Sequence, residues 1–300
     1  MVKKVSKKKV ETIIGKTIEK VIKKTVEKVE GKAVGMDEGL FCCPLCKRKL
    51  LIYNLTCTQC QQHYKNKEGI PILLPPAMQE EFVRLQHIYE REDVAKSFGF
   101  GEEYTGSVKY RNVLREKVAA LAERAPEGSL LLDIGCGNGL LLEKIAQRRR
   151  DLALVGVDFS LPMILEAKKR VPSAQLAVAS VHALPFKDEA AETVICIDVL
   201  KNFSKKAMVF AALDELFRAT RQKVIVELVI PSMTDKIVSL TYKAMRCLTW
   251  KPRVEQTPLA GISVNKISMK EIMEYLKNYK WSKVKVNPLL NWTIFNVRIR

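Results

Sequence analysis

The sequence has no long apolar run, although 47% of its 300 residues are apolar. Crossing a bilayer takes about 20 consecutive, mostly apolar residues, so we expect no transmembrane helix. The basic first residues are not followed by the apolar block and small-residue cleavage site of a secretory signal. The sequence therefore predicts a soluble, cytoplasmic protein.

Acidic residues are scarce beside basic ones, 33 against 51, which leaves a formal net charge of +18. The excess lies at the two ends: residues 1–35 hold 11 Lys and 4 Glu, and residues 201–300 hold 19 basic and 7 acidic residues. Such a concentration of charge favours an anionic partner, because neutralising phosphates releases counterions. Nucleic acid and an acidic membrane surface are the candidate partners, and a merely solvated basic surface is the alternative.

The eight cysteines do not form the regular framework of a disulfide-rich secreted domain. Four of them form two C-x-x-C pairs ten residues apart, a spacing that lets four thiolates surround Zn²⁺ tetrahedrally. A metal-free ribbon or a redox pair is the alternative. Either Cys42 or Cys43 could be the first metal ligand, and the C-x-x-C spacing favours Cys43. His63 is either a substitute ligand or an exposed loop residue. The predicted ligands are Cys43, Cys46, Cys57 and Cys60.

The chain divides by composition and by periodicity. Near its beginning, apolar residues recur at a helical period, with Lys and Glu on the other side. This pattern predicts an amphipathic helix that either packs on the body of the protein or lies on a membrane surface, with a partly disordered tail as the alternative. The predicted units are a basic amphipathic tail over 1–39, a zinc ribbon over 40–76, a connecting helix over 77–104 and an α/β domain over 105–300 with a basic, partly apolar insertion at about 231–266.

From residue 129 onward, short runs rich in Val, Ile and Leu alternate with helical patterns, as in a parallel sheet covered on both faces. Five residues separate the last two runs, so those strands must be antiparallel. We predict an α/β fold: a seven-stranded, mostly parallel sheet with an antiparallel last strand, helices on both faces, and the small N-terminal ribbon. The predicted strands are 129–134, 152–157, 175–179, 193–197, 223–229, 282–286 and 292–299.

Asp133 stands at the tip of the first of these strands, and Gly135, Gly137 and Gly139 lead from it into a helix. Glycines allow a tight turn and close approach of a ligand, and a helix N-terminus offers free N–H groups. The spacing is neither that of a triphosphate loop nor that of a dinucleotide fingerprint. It predicts a nucleotide-like ligand, with a purely structural turn as the alternative.

Asp158 ends the next strand, 25 positions after Asp133, where a carboxylate can accept both hydroxyls of a ribose. Phe159 beside it can lie against an adenine ring. Asp158 can also cap the following helix. The segment Leu184-Pro-Phe186 and the strand tip at Asp198 complete a rim at the same edge of the sheet, where ligands of open α/β sheets bind.

The segments Asp133–Gly139, Val157–Ser160, Ala183–Phe186 and Ile197–Leu200 together resemble those of class I, Rossmann-like S-adenosylmethionine-dependent methyltransferases, particularly the group with quinone- and tRNA-modifying members. The resemblance covers about residues 105–300. It implies that Gly135 and Gly137 line the methionine part of the cofactor, that Asp158 holds the ribose, and that Ser180 and Val181 flank the adenine. The family often has Asp where Ser180 stands. The predicted cofactor-binding residues are Asp133, Gly135, Gly137, Asp158, Phe159, Ser180, Val181 and Asp198.

Residues 63–74, which follow the second cysteine pair, resemble the end of the small zinc-ribbon activator subunit of tRNA, rRNA and release-factor methyltransferases. The order of ribbon and then methyltransferase in one chain also resembles bacterial 23S rRNA guanine-N1 methyltransferases. This second resemblance covers about residues 40–76. It implies an RNA substrate and allows a protein partner to bind through the ribbon.

No catalytic residue stands out. The chain has Asp198-Val-Leu-Lys201 where enzymes that methylate exocyclic amines of bases often carry an Asn/Asp-Pro-Pro-aromatic tetrad, so that chemistry is disfavoured. We expect in-line attack on the sulfonium methyl, with the enzyme contributing orientation and proximity. Asp198, His182 and Glu227 are the candidate bases, each with an alternative role as a cap, a surface residue or a buried hydrogen-bond partner.

Three functions follow. The first is methylation of RNA, either tRNA or rRNA, gripped by the ribbon and the basic C-terminal third. The second is methylation of a small hydrophobic molecule such as a quinone or lipid, capped by the apolar stretch 237–250, which has a plain lid helix as its alternative. The third is a cofactor-binding scaffold that activates a partner enzyme.

Overall fold

The computed structural model describes residues 39–51, 53–76, 107–229, 267–289 and 292–299. The predicted tail except for residue 39, the whole predicted connecting helix and the whole predicted insertion lie outside these ranges. None of the helices in the described ranges is both long enough and apolar enough to span a membrane.

The described residues form eleven strands and five α-helices, together with a 3₁₀ turn at Leu200–Asn202. The strands are β1 Leu50–Leu51, β2 Thr56–Cys57, β3 Lys65–Lys67, β4 Ile70–Leu73, β5 Leu130–Ile134, β6 Ala153–Asp158, β7 Gln175–Ala179, β8 Ala191–Cys196, β9 Thr220–Val229, β10 Trp281–Leu289 and β11 Trp292–Ile299. The helices are α1 Ser107–Ala122, α2 Leu140–Arg148, α3 Leu161–Arg170, α4 Lys206–Ala219 and α5 Met269–Leu276.

The main sheet has the strand order β10-β11-β9-β8-β5-β6-β7-β4-β3. Strands β5 to β9 are mutually parallel, and β11 runs antiparallel to both of its neighbours, β9 and β10. This confirms the predicted mostly parallel sheet with an antiparallel last strand. The predicted bounds of β7 and β11 agree with the structure, whereas β9 begins three residues earlier than predicted and β10 ends three residues later.

Strands β3 and β4 extend the seven-stranded sheet to nine. Strand β4 pairs in parallel with β7, with Ile72 opposite Val178 and Leu73 opposite Ala179. The sequence analysis assigned β4 to a separate ribbon and did not predict this junction. The predicted domain limits remain predictions, but the described sheet runs without interruption from the cysteine-containing segment into the α/β domain.

The sheet is apolar on both faces, and its side chains alternate between two buried layers. Leu132, Val155 and Val226 pack in the layer that holds α4, α5 and the segment around Cys43. Leu131, Ile195 and Ile225 pack in the opposite layer with α1, α2 and α3. The period of two places successive residues of one strand on opposite faces, which confirms that helices cover both faces.

Candidate functional site: a cleft at the strand ends and a four-cysteine cluster

A cleft opens at the carboxyl ends of β5, β6, β7 and β8. Strand β5 is the point from which the parallel strands extend in both directions, and open α/β sheets bind ligands at such a point. The lining is mainly apolar, with glycine backbone and a few polar side chains. It consists of Ile134, Gly135, Gly137, Val157, Asp158, Phe159, Met163, Ala179, Val181, Ile197, Asp198, Val199, Asn202 and Phe203.

Glycine is required at the floor of the cleft. Gly135 has a φ of +77°, and a Cβ atom added there would lie 2.1 Å from Cγ2 of Val199. Gly137 has a φ of +54°, but a Cβ atom there would meet no atom of the described residues within 4 Å. The backbone at Gly137 is therefore open on the side where a ligand can approach it.

Asp158 lies buried at the tip of β6. Its Oδ2 accepts a hydrogen bond from the Gly137 backbone N–H (3.0 Å), and its Oδ1 accepts one from the Ser160 N–H (2.9 Å). Burial raises the pKa of Asp158 to about 6, although these backbone hydrogen bonds oppose the shift. Ser160 is the residue that caps α3, because its hydroxyl accepts from the Met163 N–H (3.3 Å). Each Asp158 oxygen keeps a further lone pair, which suits the two hydroxyls of a ribose.

Asp133 lies beneath the glycine loop and does not line the cleft. Burial and the negative charge of Asp158 raise the pKa of Asp133 to about 7, while Arg115 opposes the shift. Its Oδ2 has no hydrogen-bond partner among the residues that the structure describes. A buried oxygen without a donor is costly, so this position favours a ligand, or a water, that supplies one.

Asp198 forms the opposite rim of the cleft, with a φ of +64°. Its carboxylate pairs with Lys201 and lies 3.7 Å from Nε of Arg111. Its backbone N–H donates to Oε2 of Glu227 (2.6 Å), and its carbonyl accepts from Nδ2 of Asn202 (3.2 Å). Every polar group of Asp198 is thus engaged by a neighbour.

The structure brings six of the eight predicted cofactor residues together in the lining, and Asp133 and Ser180 lie outside it. Ser180 is buried, with its hydroxyl accepting from the His182 N–H (3.2 Å). His182, a candidate base, is also outside the lining. Its Nε2 lies 2.9 Å from the carbonyl oxygen of Met208, and its ring stands edge-on to Phe203.

Several residues of the cleft and its surroundings were not predicted from the sequence. Met163, Asn202 and Phe203 line it, and Arg111 and Lys201 neutralise Asp198. No short motif marks them, since the fold alone brings them together. The αL conformation at Asp198 also has no signal in the sequence beyond the tolerance of Asp for it.

The four predicted metal ligands form a second, separate cluster. Their sulfur atoms all lie within 4.8 Å of one another, with Cys43 3.6 Å from Cys60 and Cys46 3.4 Å from Cys57. Four sulfurs at about 2.3 Å from a tetrahedral Zn²⁺ would be about 3.8 Å apart. The donor set and its dimensions therefore fit zinc.

Three neighbouring residues lie around this cluster without belonging to it. Cys42 points elsewhere, and its backbone N–H donates to the carbonyl of Pro185 (2.8 Å). His63 pairs with Thr56 through Nδ1 at 3.2 Å. The Tyr64 hydroxyl lies 3.2 Å from the sulfur of Cys43, which places a polar hydrogen beside one thiolate.

The cysteine module, residues 39–51 and 53–76, is anchored to the α/β domain through Glu215 of α4. Lys47 donates to Oε2 of Glu215 (2.8 Å) and to the carbonyl of Leu184 (2.9 Å). Arg218 donates to the same carboxylate, and so does the Leu184 N–H (2.7 Å). Burial raises the pKa of Glu215, but the bonds from Arg218 and Lys47 outweigh it and keep the pKa below its usual range. Phe41 packs against Phe186 beside this network.

A basic crevice lies where the cysteine module meets the loop before β8. It is lined by Cys46, Lys47, Arg48, Lys49, Thr58, Lys187 and Asp188. Lys47 is bound to Glu215, whereas Arg48, Lys49 and Lys187 are exposed. Two large apolar side chains on the same module, Leu45 and Tyr53, are 49% and 63% exposed. Cationic and aromatic groups thus occupy one module.

Residues 131–223 match the family model described as "Methyltransferase domain". The chain is 33% identical over 105 residues to the tRNA (carboxymethyluridine(34)-5-O)-methyltransferase of Arabidopsis thaliana, a match that covers 35% of this chain and 24% of that relative. It is 27% identical over 176 residues to the demethylmenaquinone methyltransferase of Thermotoga maritima, which covers 58% of this chain and 70% of the relative. The chain therefore spans about a quarter of the length of the tRNA-modifying relative.

Among solved structures, the fold is similar to that of magnesium protoporphyrin IX methyltransferase from Synechocystis with bound SAH. The TM-score is 0.56 at 16% identity, and the match covers 73% of this chain and all of that chain. At this identity the similarity concerns the fold. Residues 131–223 thus resemble a methyltransferase domain in sequence, and the fold that contains them resembles that of a solved methyltransferase.

Proposed function

We propose that the chain is an S-adenosylmethionine-dependent methyltransferase that acts on RNA and carries a structural Zn²⁺ in its cysteine module. The assignment of S-adenosylmethionine as the methyl donor rests on one observation, the positions of Gly137 and Asp158 beside each other in the cleft. The backbone at Gly137 is open toward the cleft, and the carboxylate of Asp158 is buried at its edge. We propose both the activity of the whole protein and the identity of its methyl acceptor.

The bound cofactor would supply a methyl group on a positively charged sulfur, which an N, O or C nucleophile can attack in line. The residues of the chain would bind and orient it. Asp158 would accept the ribose hydroxyls, and Phe159 with Val181 would enclose the adenine. The buried Oδ2 of Asp133 lies outside the lining and would accept from the cofactor amino group through a water.

Among the described residues, none of the three candidate bases lies unpaired in the cleft. The carboxylate of Asp198 lies in the cleft, but both of its oxygens already have cationic partners, Lys201 and Arg111. His182 and Glu227 do not line the cleft. The residues therefore favour catalysis by proximity and orientation.

Zinc would hold the cysteine module through Cys43, Cys46, Cys57 and Cys60. A closed set of four thiolates is typical of structural rather than catalytic zinc. Bound metal would fix the turn that carries Lys47, and thereby the contact of the module with Glu215 and Leu184.

The RNA part of the proposal is supported by the crevice and by the relatives. Arg48, Lys49 and Lys187 line one concave surface, and the exposed Tyr53 ring lies on the same module. Cations that contact phosphates and rings that stack on bases are the usual means of binding single-stranded nucleic acid. Lys187 follows Val181 of the cleft by six residues, so at most about 22 Å of chain separates crevice and cleft.

The cofactor test is Asp158→Asn. The amide keeps the shape of the side chain but removes the charge that accepts the ribose hydroxyls, and hydrogen bonds to charged groups contribute about 1.5–3 kcal/mol. We expect the Kd for S-adenosylhomocysteine, measured by calorimetry, to rise about 10-fold to 100-fold. Asp151→Asn, which changes an exposed carboxylate on another loop, should leave the Kd unchanged. Equal affinity in both variants would contradict the assignment.

The RNA test compares the binding of total tRNA at increasing KCl. Replacing Arg48 and Lys187 by Gln should lower the slope of log K against log salt by about 1.4 to 1.8, because two phosphate contacts are lost. The control replaces the exposed Lys117 and Lys277 by Gln and removes the same charge elsewhere. Identical slopes for the two double variants would show that the crevice does not bind RNA.

A small hydrophobic acceptor is the second candidate, because the match to the quinone-modifying relative covers more of this chain than the match to the tRNA-modifying one. Labelled methyl from S-adenosylmethionine, offered to fractionated cell extract, separates the candidates. Label in RNA supports the proposal, and label confined to the lipid fraction favours the quinone or lipid reading. Cofactor binding without any transfer favours a scaffold that activates a partner.

A further inference from the structure

Glu227 lies beneath the wall of the cleft that follows β8. It belongs to β9 and is 3% exposed, and it is not among the residues that line the cleft. Its position on the strand places it in the layer of Ile225, the side on which α1 packs. Its Oε2 accepts the backbone N–H of Asp198 at 2.6 Å.

The backbone at Asp198 has a conformation that residues other than glycine rarely adopt. Its φ of +64° lies in the left-handed region, where a residue with a Cβ atom is strained and stays only when its surroundings hold it there. Contacts at three groups of Asp198 hold this conformation. Asn202 binds the carbonyl, and Lys201 and Arg111 bind the carboxylate, but only the bond to Glu227 fixes the N–H among the contacts described.

The turn at Asp198 sets the shape of the cleft. The next residue, Val199, packs so closely on the glycine loop that Gly135 has no space for a Cβ atom. Asn202, three residues further, lines the cleft and closes back onto the Asp198 carbonyl. A rotation of the peptide unit at Asp198 would therefore move Val199 and Asn202 together.

We propose that Glu227 is a positioning residue of the cofactor cleft, whose buried carboxylate holds the Asp198 N–H and thereby fixes the left-handed turn that seats Val199 against Gly135. This role rests on the proposed function, because it assigns the cleft to S-adenosylmethionine. It differs from that of a base, since Glu227 is separated from the cleft by the turn that it supports.

The experiment measures the Kd for S-adenosylhomocysteine by calorimetry in the full chain. Glu227→Leu removes the acceptor, and we expect the Kd to rise at least about tenfold, because a lost hydrogen bond to a charged group changes an equilibrium constant by about tenfold or more. Glu227→Gln retains a carbonyl acceptor, so the Kd should stay within about threefold of wild type. Glu227→Asp withdraws the carboxylate by one methylene and should give an intermediate loss, which keeps the test available if the Leu variant does not fold.

Glu192 offers a matched control. Its carboxylate also accepts a backbone N–H of the sheet, from Leu130 at 3.0 Å, but at the amino end of the strands and away from the cleft. Glu192→Leu should lower the melting temperature and leave the Kd unchanged. If Glu192→Leu changed the Kd as much as Glu227→Leu does, Glu227 would affect binding only through the overall stability of the fold, and the proposal would be overturned.

A double variant tests the turn itself. Glycine adopts the left-handed region without strain, so Glu227→Leu should weaken binding less in the Asp198→Gly background than in wild type. Effects that simply multiply would mean that the two residues act independently and would overturn the proposal. The proposed function fails separately, if wild-type protein does not bind S-adenosylhomocysteine at all.

Discussion

The ligands of the four-cysteine cluster all lie between Cys43 and Cys60, whereas the cleft collects its lining from the ends of four strands, from α3 and from the 3₁₀ turn after β8. The cluster sits beside strands of two residues each, β1 and β2. The cleft rests on a nine-stranded sheet with a buried layer on each face. We therefore expect the cluster to be held together by bound metal and the cleft by the packing of the sheet. Replacing one residue should abolish metal binding in the cluster, whereas replacing one residue of the cleft should only weaken ligand binding.

The largest expected effect breaks the cluster. Cys57→Ser removes one of four thiolates, and structural zinc contributes on the order of 10 kcal/mol to the folding of small modules. We expect purified protein to lose its one equivalent of zinc, measured by atomic emission, and residues 39–76 to lose protection from amide hydrogen exchange. Cys42→Ala is the control, because Cys42 lies outside the cluster. Wild-type protein purified without zinc, or full zinc in Cys57→Ser, would contradict the assignment.

The next effect concerns the cleft and its dependence on pH. The pKa of Asp133 is about 7 in the folded chain and about 3.9 when unfolded. Between these values the folded chain holds a proton that the unfolded chain has lost, so the contribution of Asp133 to stability falls as pH rises. Asp133→Asn carries no such group. The free energy of unfolding of the variant minus that of wild type should therefore increase from pH 4 to pH 7, by on the order of 2–4 kcal/mol.

Urea unfolding at several pH values measures this difference, in which the other titrating groups cancel to first order. Asp151→Asn is the control of opposite sign, because the hydrogen bond from Arg149 and that from the Gly128 N–H hold the pKa of Asp151 well below its usual range. That variant should lose stability relative to wild type as pH rises through the acidic range. A pH-independent difference for Asp133→Asn would mean that the carboxyl is not buried as described.

The smallest effect concerns the contact between the two regions. Lys47→Met removes the hydrogen bonds to Leu184 and Glu215, while Arg218 still pairs with Glu215. We expect a loss of about 1–2 kcal/mol in the free energy of unfolding with the zinc content unchanged. Lys49→Met, which changes an exposed lysine two positions away, should have almost no effect. Loss of zinc in Lys47→Met would show that the contact and the cluster are one unit.

The sequence predicted those parts of the molecule that local patterns encode. The spacing of the cysteines, the alternation of β5 to β9 with helices, and the glycines after Asp133 each lie within one short segment. Pairing of β4 with β7 joins residues about 100 positions apart, and the sequence of neither strand indicates which strand it pairs with. The same holds for Arg111 beside Asp198 and for Glu227 beneath it, because tertiary packing alone decides which charges meet.

The junction of β4 with β7 has a consequence for how the sheet ends. Unpaired edge strands invite association with other chains, and lysine is one residue that discourages it. The outermost described strands are β3 and β10, which present Lys65 and Lys67 on one side and Lys283 and Lys285 on the other, all exposed. Four of the five residues of β7 are buried, and the strand has no charge. A protein shortened to residues 105–300 would have β7 as its edge, and we expect it to aggregate where the full chain does not.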